Sequence, residues 1–303
     1  MDSMLGFKQF IVEMSKRAPA FPNAKKAEEH IVSALRNPHK GSTPEGLTPA
    51  EERANRIAQF VHNNTGIHPS NLISIGATDV TSPKHAKNTR QRFNHDSDSH
   101  PVEDFVTHTH HEGEDEESSF IDLKTGSSPS SGSYGSKKLS SVIGIDSKAV
   151  PSNLPRSKLD KIKVSKDIHD HLEQHFTNNN SDHEMVRRIL NVGKDKEGKL
   201  NRNEYLLVDN SKGTTLHNKA SAFEHLQSLN PTYSVSRSPM GQTISIHAHF
   251  THPETGEKTK IQIAAIGVKH TSASGENITY NIKHQWLNNM KKTGYVPHAE
   301  LEH

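Results

Sequence analysis

Apolar positions recur every three or four residues in the amino-terminal part of the chain and every second residue in many later stretches, which predicts helices first and strands after them. In residues 4 to 14, "MLGFKQFIVEM", Met4, Phe7, Ile11 and Met14 share a helical stripe with Phe10 beside it. From Asn23 to Arg36, Ala27, Ile31, Ala34 and Leu35 predict a second helix, capped by Asn23 and ended before Pro38. In "GLTPAEERANRIAQFVHNNTG" Thr48 is placed to cap, Pro49 takes the first helical position and Glu51 completes a capping box. Ala54, Ile57, Ala58 and Val61 form the buried face of that helix, and Gly66 ends it.

The period then changes. "NLISIGATDV" (71 to 80), "PVEDFVTHTH" and "SSFIDLKTG" read as three successive strands. "SKDIHDHLEQHF" and "SDHEMVRRILNV" return to the helical period, the latter capped by Ser181 or Asp182. "EYLLVDN" is a strand and "KASAFEHLQSL" a helix. "TISIHAHFTHPETGEKTKIQIAAIGV" is a hairpin turning at Pro253 to Gly256, and "ITYNIKHQWL" is a final strand. The expected class is α/β or α+β, with a central mixed sheet flanked by helices and a β-rich carboxy-terminal portion.

Between these elements lie polar segments. Glu112, Glu114, Asp115, Glu116 and Glu117 read as a solvated hairpin tip. Lys84, Lys87, Arg90 and Arg92 make a basic loop or short helix, and "SSPSSGSYGSKK" (127 to 138) is flexible by composition. Hydrophobic residues make up 30% of the 303, so the core is confined to a few segments. The net charge of +2 neither demands nor excludes nucleic acid. There are no cysteines, hence no disulfide and no thiolate metal site. No apolar run approaches the roughly 20 residues of a membrane span, so no membrane partner is expected. Leu301, Glu302 and His303 resemble the start of a cloning tail and are set aside.

The chemistry centres on the second and third strands. Asp104 shares a face with Val102 and Val106, and Asp122 shares one with Lys124. A hairpin sets the two faces side by side, which brings two carboxylates and an ammonium to one end of a sheet. Hard oxygens suit Mg2+ or Mn2+, and the lysine can stabilise developing charge or position water.

This arrangement resembles the PD-(D/E)XK nuclease superfamily, whose core runs helix, three strands, helix, strand, with Asp on the second strand and (Asp/Glu)-x-Lys on the third. Pro101 with Asp104, and Asp122-Leu123-Lys124, carry the match, although Val102 and Glu103 separate Pro101 from Asp104, so that Glu103 is an alternative that strand phase disfavours. The resemblance implies a restriction-endonuclease-like core over 48 to 210, followed by the β-rich portion over 211 to 300. It also implies metal-dependent hydrolysis of double-stranded DNA, a homodimer, and Glu51 as a third acid. Tyr134, Lys137 and Lys138 in the Ser/Gly segment, with the basic cluster Lys84, Lys87, Arg90 and Arg92, are expected to meet the phosphate backbone. The same Ser/Gly segment reads equally as a disordered linker.

Residues 4 to 13 resemble the capsid-targeting propeptide of internal head proteins of T-even-like bacteriophages, which ends in Leu or Ile, any residue, then Glu. Ile11-Val12-Glu13 matches that ending. The resemblance implies cleavage after Glu13 by a prohead protease, storage in the virion interior and delivery to the host cytoplasm, and residues 14 to 47 are expected to form an amino-terminal helical segment by their own apolar pattern. The bland alternative is an amphipathic helix docked on its own domain. A non-enzymatic internal head protein that inhibits a host defence enzyme is the competing function. His108, His110 and Glu114 have the spacing of a first cupin motif whose remainder is missing, and His247 and His249 share a strand face.

Overall fold

The computed structural model describes residues 24–37, 47–67, 72–77, 105–109, 117–125, 130–195, 197–210, 213–238, 241–271, 275–283 and 286–302. Among the described residues two helices come first, α1 (Ala24–Arg36) and α2 (Pro49–Thr65). The capping box at Thr48 and Glu51 is formed, and Gly66 closes α2 with φ 69°, a left-handed conformation that glycine adopts without a Cβ penalty.

Three strands follow as an antiparallel meander, β1 (Leu72–Ala77), β2 (Phe105–Thr109) and β3 (Glu117–Thr125). The chain then leaves this sheet. It contributes β4 (Ser130–Tyr134) to a second sheet and continues through α3 (Ser136–Ile143), α4 (Lys158–Asn178) and α5 (His183–Ile189). It returns as β5 (Glu204–Asn210), which lies parallel to β3. Parallel neighbours require a crossover of about a dozen residues or more, and the helical excursion supplies it. β6 (Gly213–Asn218) adds an antiparallel neighbour to β5.

Next come α6 (Lys219–Ser228), the strands β7 (Thr232–Arg237), β8 (Thr243–Thr251), β9 (Lys258–His270) and β10 (Ile278–Lys283), then α7 (Trp286–Met290). The predicted strand "ITYNIKHQWL" is thus strand only as far as Lys283. Trp286 and Leu287 are buried on α7, because two large apolar residues in succession can both face the core from a helical turn but not from a two-faced strand. A last strand, β11 (Ala299–Glu302), pairs with β6, so Leu301 and Glu302 form a sheet edge.

The first sheet runs β1-β2-β3-β5-β6-β11 and the second β4-β10-β9-β8-β7. The class is mixed α/β, with a mixed sheet flanked by helices and a second, antiparallel sheet. Alternation along β3 and β5 gives the first sheet two buried faces. Ile121, Leu123, Tyr205 and Leu207 pack under α1 and α2 with Ile31, Leu35, Ile57 and Val61. Leu206 and Val208 point the other way, into a larger core shared with α3 to α7 and the second sheet.

Two buried polar contacts pin the layers. Arg53 of α2 grips Asp209 of β5 with Nε to Oδ2 at 3.1 Å and Nη2 to Oδ1 at 2.8 Å, while Thr214 donates to Oδ1 at 2.8 Å. Glu204, fully buried, accepts from the backbone N–H of Gly193 at 2.8 Å and from Asn201 at 3.2 Å. A Cβ at Gly193 would fall 1.9 Å from Glu204 Oε1, so only glycine admits this approach.

Candidate active site

Asp122, Leu123 and Lys124 sit near the end of β3, opposite Leu206, Leu207 and Val208 of β5. Leu123 goes to the α1–α2 core, which sends Asp122 and Lys124 to the other face. The sequence pattern thus has a simple result: strand alternation places the acid and the amine together beneath the second helical layer.

Asp122 is 1% exposed. A carboxylate that deep must be paired. Lys124 Nζ donates to Asp122 Oδ1 and also to the carbonyl of Leu123 at 3.2 Å. The second oxygen, Oδ2, lies 3.8 Å from Nζ of Lys219, the first residue of α6 and only 5% exposed. Asn218 caps that helix by accepting from Ser221 N, which fixes where Lys219 emerges. The local charge among these three side chains is therefore one acid against two cations. Sequence reasoning missed Lys219, since nothing in "KASAFEHLQSL" marks its first residue as inward-facing. The available signal was its position directly after a capping asparagine at the end of a strand.

The same face extends across the sheet. Asp122 is level with Leu206, and Leu206 with His217 on β6, about 10 Å away at two strand spacings. His217 is 1% exposed and stacks on Tyr295. Burial pushes its pKa down to about 4, with Lys291 adding repulsion and Glu300 opposing it. Unfolded, the imidazole titrates near 6.5, so this group's contribution to stability is complete above about pH 6.5 and is lost as the pH falls toward 4. A His217→Asn variant should lose less stability than the parent between pH 7 and 5, a difference of about 1–3 kcal/mol readable from urea midpoints. His247 and His249, also held below the usual histidine range by burial, leave a residual slope.

Asp104 and Glu103 lie outside the described residues, as do Lys84, Lys87, Arg90, Arg92, Glu13, His110 and Glu114. Glu51 is committed to the N-terminus of α2, where its Oε2 accepts from both N and Oγ1 of Thr48 at 2.7 Å. That helix packs on the sheet face opposite Asp122, so the structure does not bring Glu51 to the cluster.

The Ser/Gly segment is not a free loop from residue 130 onward: it forms β4 and the start of α3. The Tyr134 ring is buried, and Lys138, buried too, holds its ammonium 4.4 Å from that ring's centre. Neither is presented to a ligand, whereas Lys137 is exposed. Burial wins here because an aromatic ring in the middle of a core gains more from packing than from solvent.

His247 and His249 lie on the outer face of β8 and bond Ser236 at 2.9 Å and Ser234 at 2.6 Å through Nε2. Among the described residues, His169, Asp170 and Glu173 on α4 bring ligand atoms within 4.8 Å of one another. The cluster is open to solvent, and the hydrogen bond from Lys166 holds Asp170 below the ordinary carboxylate range, which is the behaviour of a surface ion-pair face.

No protein-family model and no curated protein sequence matches the chain. Among solved structures, the restriction endonuclease MspI in complex with its cognate DNA superposes with a TM-score of 0.32 and 12% identity, covering 78% of this chain and 80% of that one. A likeness at that score carries no weight for kinship or activity.

Proposed function

We propose that the chain hydrolyses DNA phosphodiesters with a divalent cation held at Asp122. The observation that carries this reading is the buried Asp122 placed with Lys124 on the third strand of an antiparallel meander, a strand that runs parallel to the next one in the sheet after a helical crossover. The order of helix, three strands, helix and strand is the order in which the PD-(D/E)XK core is built.

By donor chemistry the site fits Mg2+ or Mn2+, which accept one or two protein carboxylates and keep the remaining positions for water and phosphate. Asp122 offers one hard oxygen pair. A divalent cation accepts one or two protein carboxylates, and Asp104 is the proposed source of the second: it precedes Phe105, which pairs with Ile121, the residue before Asp122. Such a cation, when bound, would neutralise phosphate charge and lower the pKa of water. Lys124 would then turn from Asp122 toward the non-bridging phosphate oxygens or the attacking water, and Lys219 would hold the Asp122 carboxylate in place. The face is closed on one side by α6, which limits access of bulk water to the reacting group.

Supercoiled plasmid incubated with the purified chain and Mg2+ tests this directly. Cutting that stops with chelator, and that is lost in Lys124→Met, supports the reading; plasmid that stays intact under all conditions contradicts it.

We also propose that residues 4 to 13 act as a capsid-targeting propeptide. The protein would then be packaged in the capsid, cut after Glu13 by a prohead protease and released into a bacterial cytoplasm, which the mass of the protein recovered from particles tests.

A further inference from the structure

At the end of the second sheet, where the amino terminus of α4 meets the start of β8 and the finish of β9, an open cleft of about 580 Å3 is lined by Arg156, Lys161, Lys269 and His270, with Thr243 beside them and, among the described residues, no Asp or Glu in its wall. We propose that this cleft binds the phosphate groups of a nucleic-acid backbone, as a second contact separate from Asp122.

Arg156 and His270 are held by the fold. Leu154 N donates to Glu276 O at 2.8 Å and Ile278 N to Ser152 O at 2.9 Å, tying the segment before α4 to the strand opposite. Arg156 Nε donates to Gly275 O at 3.2 Å, which fixes the base of its guanidinium at the rim. His270 pairs through Nε2 with Leu154 O at 3.0 Å, so that nitrogen carries the proton and faces a carbonyl. Lys161 stands on the first turns of α4, and Lys269 projects from β9; among the described residues neither takes part in an ion pair. The first N–H groups of α4 are already satisfied by Ser157 Oγ, which accepts from Leu159 N and Asp160 N. Attraction for an anion therefore comes from the side-chain cations and not from the helix end.

Two features favour a backbone over a single small anion. The cleft is open, which suits a chain passing over it. Gly267 also contributes to the wall, and a Cβ placed there would meet nothing within 4 Å, so the wall stands clear of whatever crosses it. Hydroxyl and ammonium donors around a charged rim are the groups that phosphate oxygens use, without reading sequence. The choice of DNA as the source of those phosphates rests on the hydrolase reading above.

Fluorescence anisotropy of a labelled duplex, in chelator so that nothing is cut, tests the proposal on the full chain. Lys161→Ala with Lys269→Ala should raise Kd at least tenfold near 0.1 M salt and flatten the log–log salt slope by about 2, since each lost phosphate contact is worth about 0.9. Gly267→Val, which narrows the cleft without touching charge, should also weaken binding while melting like the parent. Unchanged Kd and slope in the double variant would overturn the proposal. So would inorganic pyrophosphate shifting the cleft's amide resonances while duplex affinity ignores the substitutions, because that would assign the site to a small phosphate. A chain that binds through the cleft yet never cuts would sink the hydrolase reading and leave this one standing, and cutting with cleft-independent affinity would do the reverse.

Discussion

Asp122→Asn is expected to reduce chelator-sensitive DNA cleavage by on the order of 10²–10³-fold and, at the same time, to destabilise the fold by about 3 kcal/mol. Both effects follow from one arrangement. The carboxylate pairs with Nζ of Lys124 and lies 3.8 Å from Nζ of Lys219, and both amines are largely buried. Breaking a buried pair by removing one partner is costly, and here the 5% exposed Lys219 is the amine that loses its ion-pair partner. The two consequences separate in the double variant Asp122→Asn with Lys219→Met. Removing Lys219, the amine left buried without its ion-pair partner, should let urea unfolding recover most of the lost stability, whereas cleavage should stay absent. If the double variant regains cleavage along with stability, Asp122 acts only as a structural anion.

Arg53→Met should cost about 3–5 kcal/mol, the largest stability loss expected from a substitution outside the cluster. The guanidinium makes two hydrogen bonds to Asp209 and a third, from Nη2, to Asn210 O at 3.0 Å, and both charged side chains are under 5% exposed. The methionine leaves Asp209 with Thr214 as its remaining described donor. Asp209→Leu added to Arg53→Met should restore much of the loss, since an apolar pair of similar volume avoids the desolvation of two ions. Because α2 lies across the sheet from Asp122, cleavage per folded molecule should be unaltered; guanidinium unfolding and an activity assay on the same samples check both statements.

The elements that were legible in the sequence were those with a strong local signal. The capping box, Pro49 and Gly66 each specify one backbone conformation, and α2 begins and ends where they place it. The period-two runs gave β3, β5, β8 and β9 to within a few residues. What escaped were elements that tertiary packing decides. β6, "GTTLHN", and β7, "TYSVSR", are polar on one face and short, so alternation is faint until a neighbouring strand supplies the register. α3, "SKKLSSVI", was hidden in a Ser-rich stretch, yet Leu139, Val142 and Ile143 bury it. Within the site, the Asp-x-Lys pair was legible because alternation alone fixes two residues on one face. Lys219 was not, because its approach to Asp122 joins positions 97 apart that only the sheet and the start of α6 bring together. Glu51 looked catalytic for the same reason that it caps: it stands at the edge of the helix's apolar face in the first turn, and the local hydrogen bonds to Thr48 claim it.

The central claim, that Asp122 helps seat a divalent cation, is met most directly by counting bound Mn2+ from the loss of its free electron-paramagnetic signal, with a phosphorothioate duplex present to resist cutting. A bound ion is expected in the parent chain and in Lys124→Met, and none in the stability-restored Asp122→Asn with Lys219→Met. Equal binding in all three would contradict it.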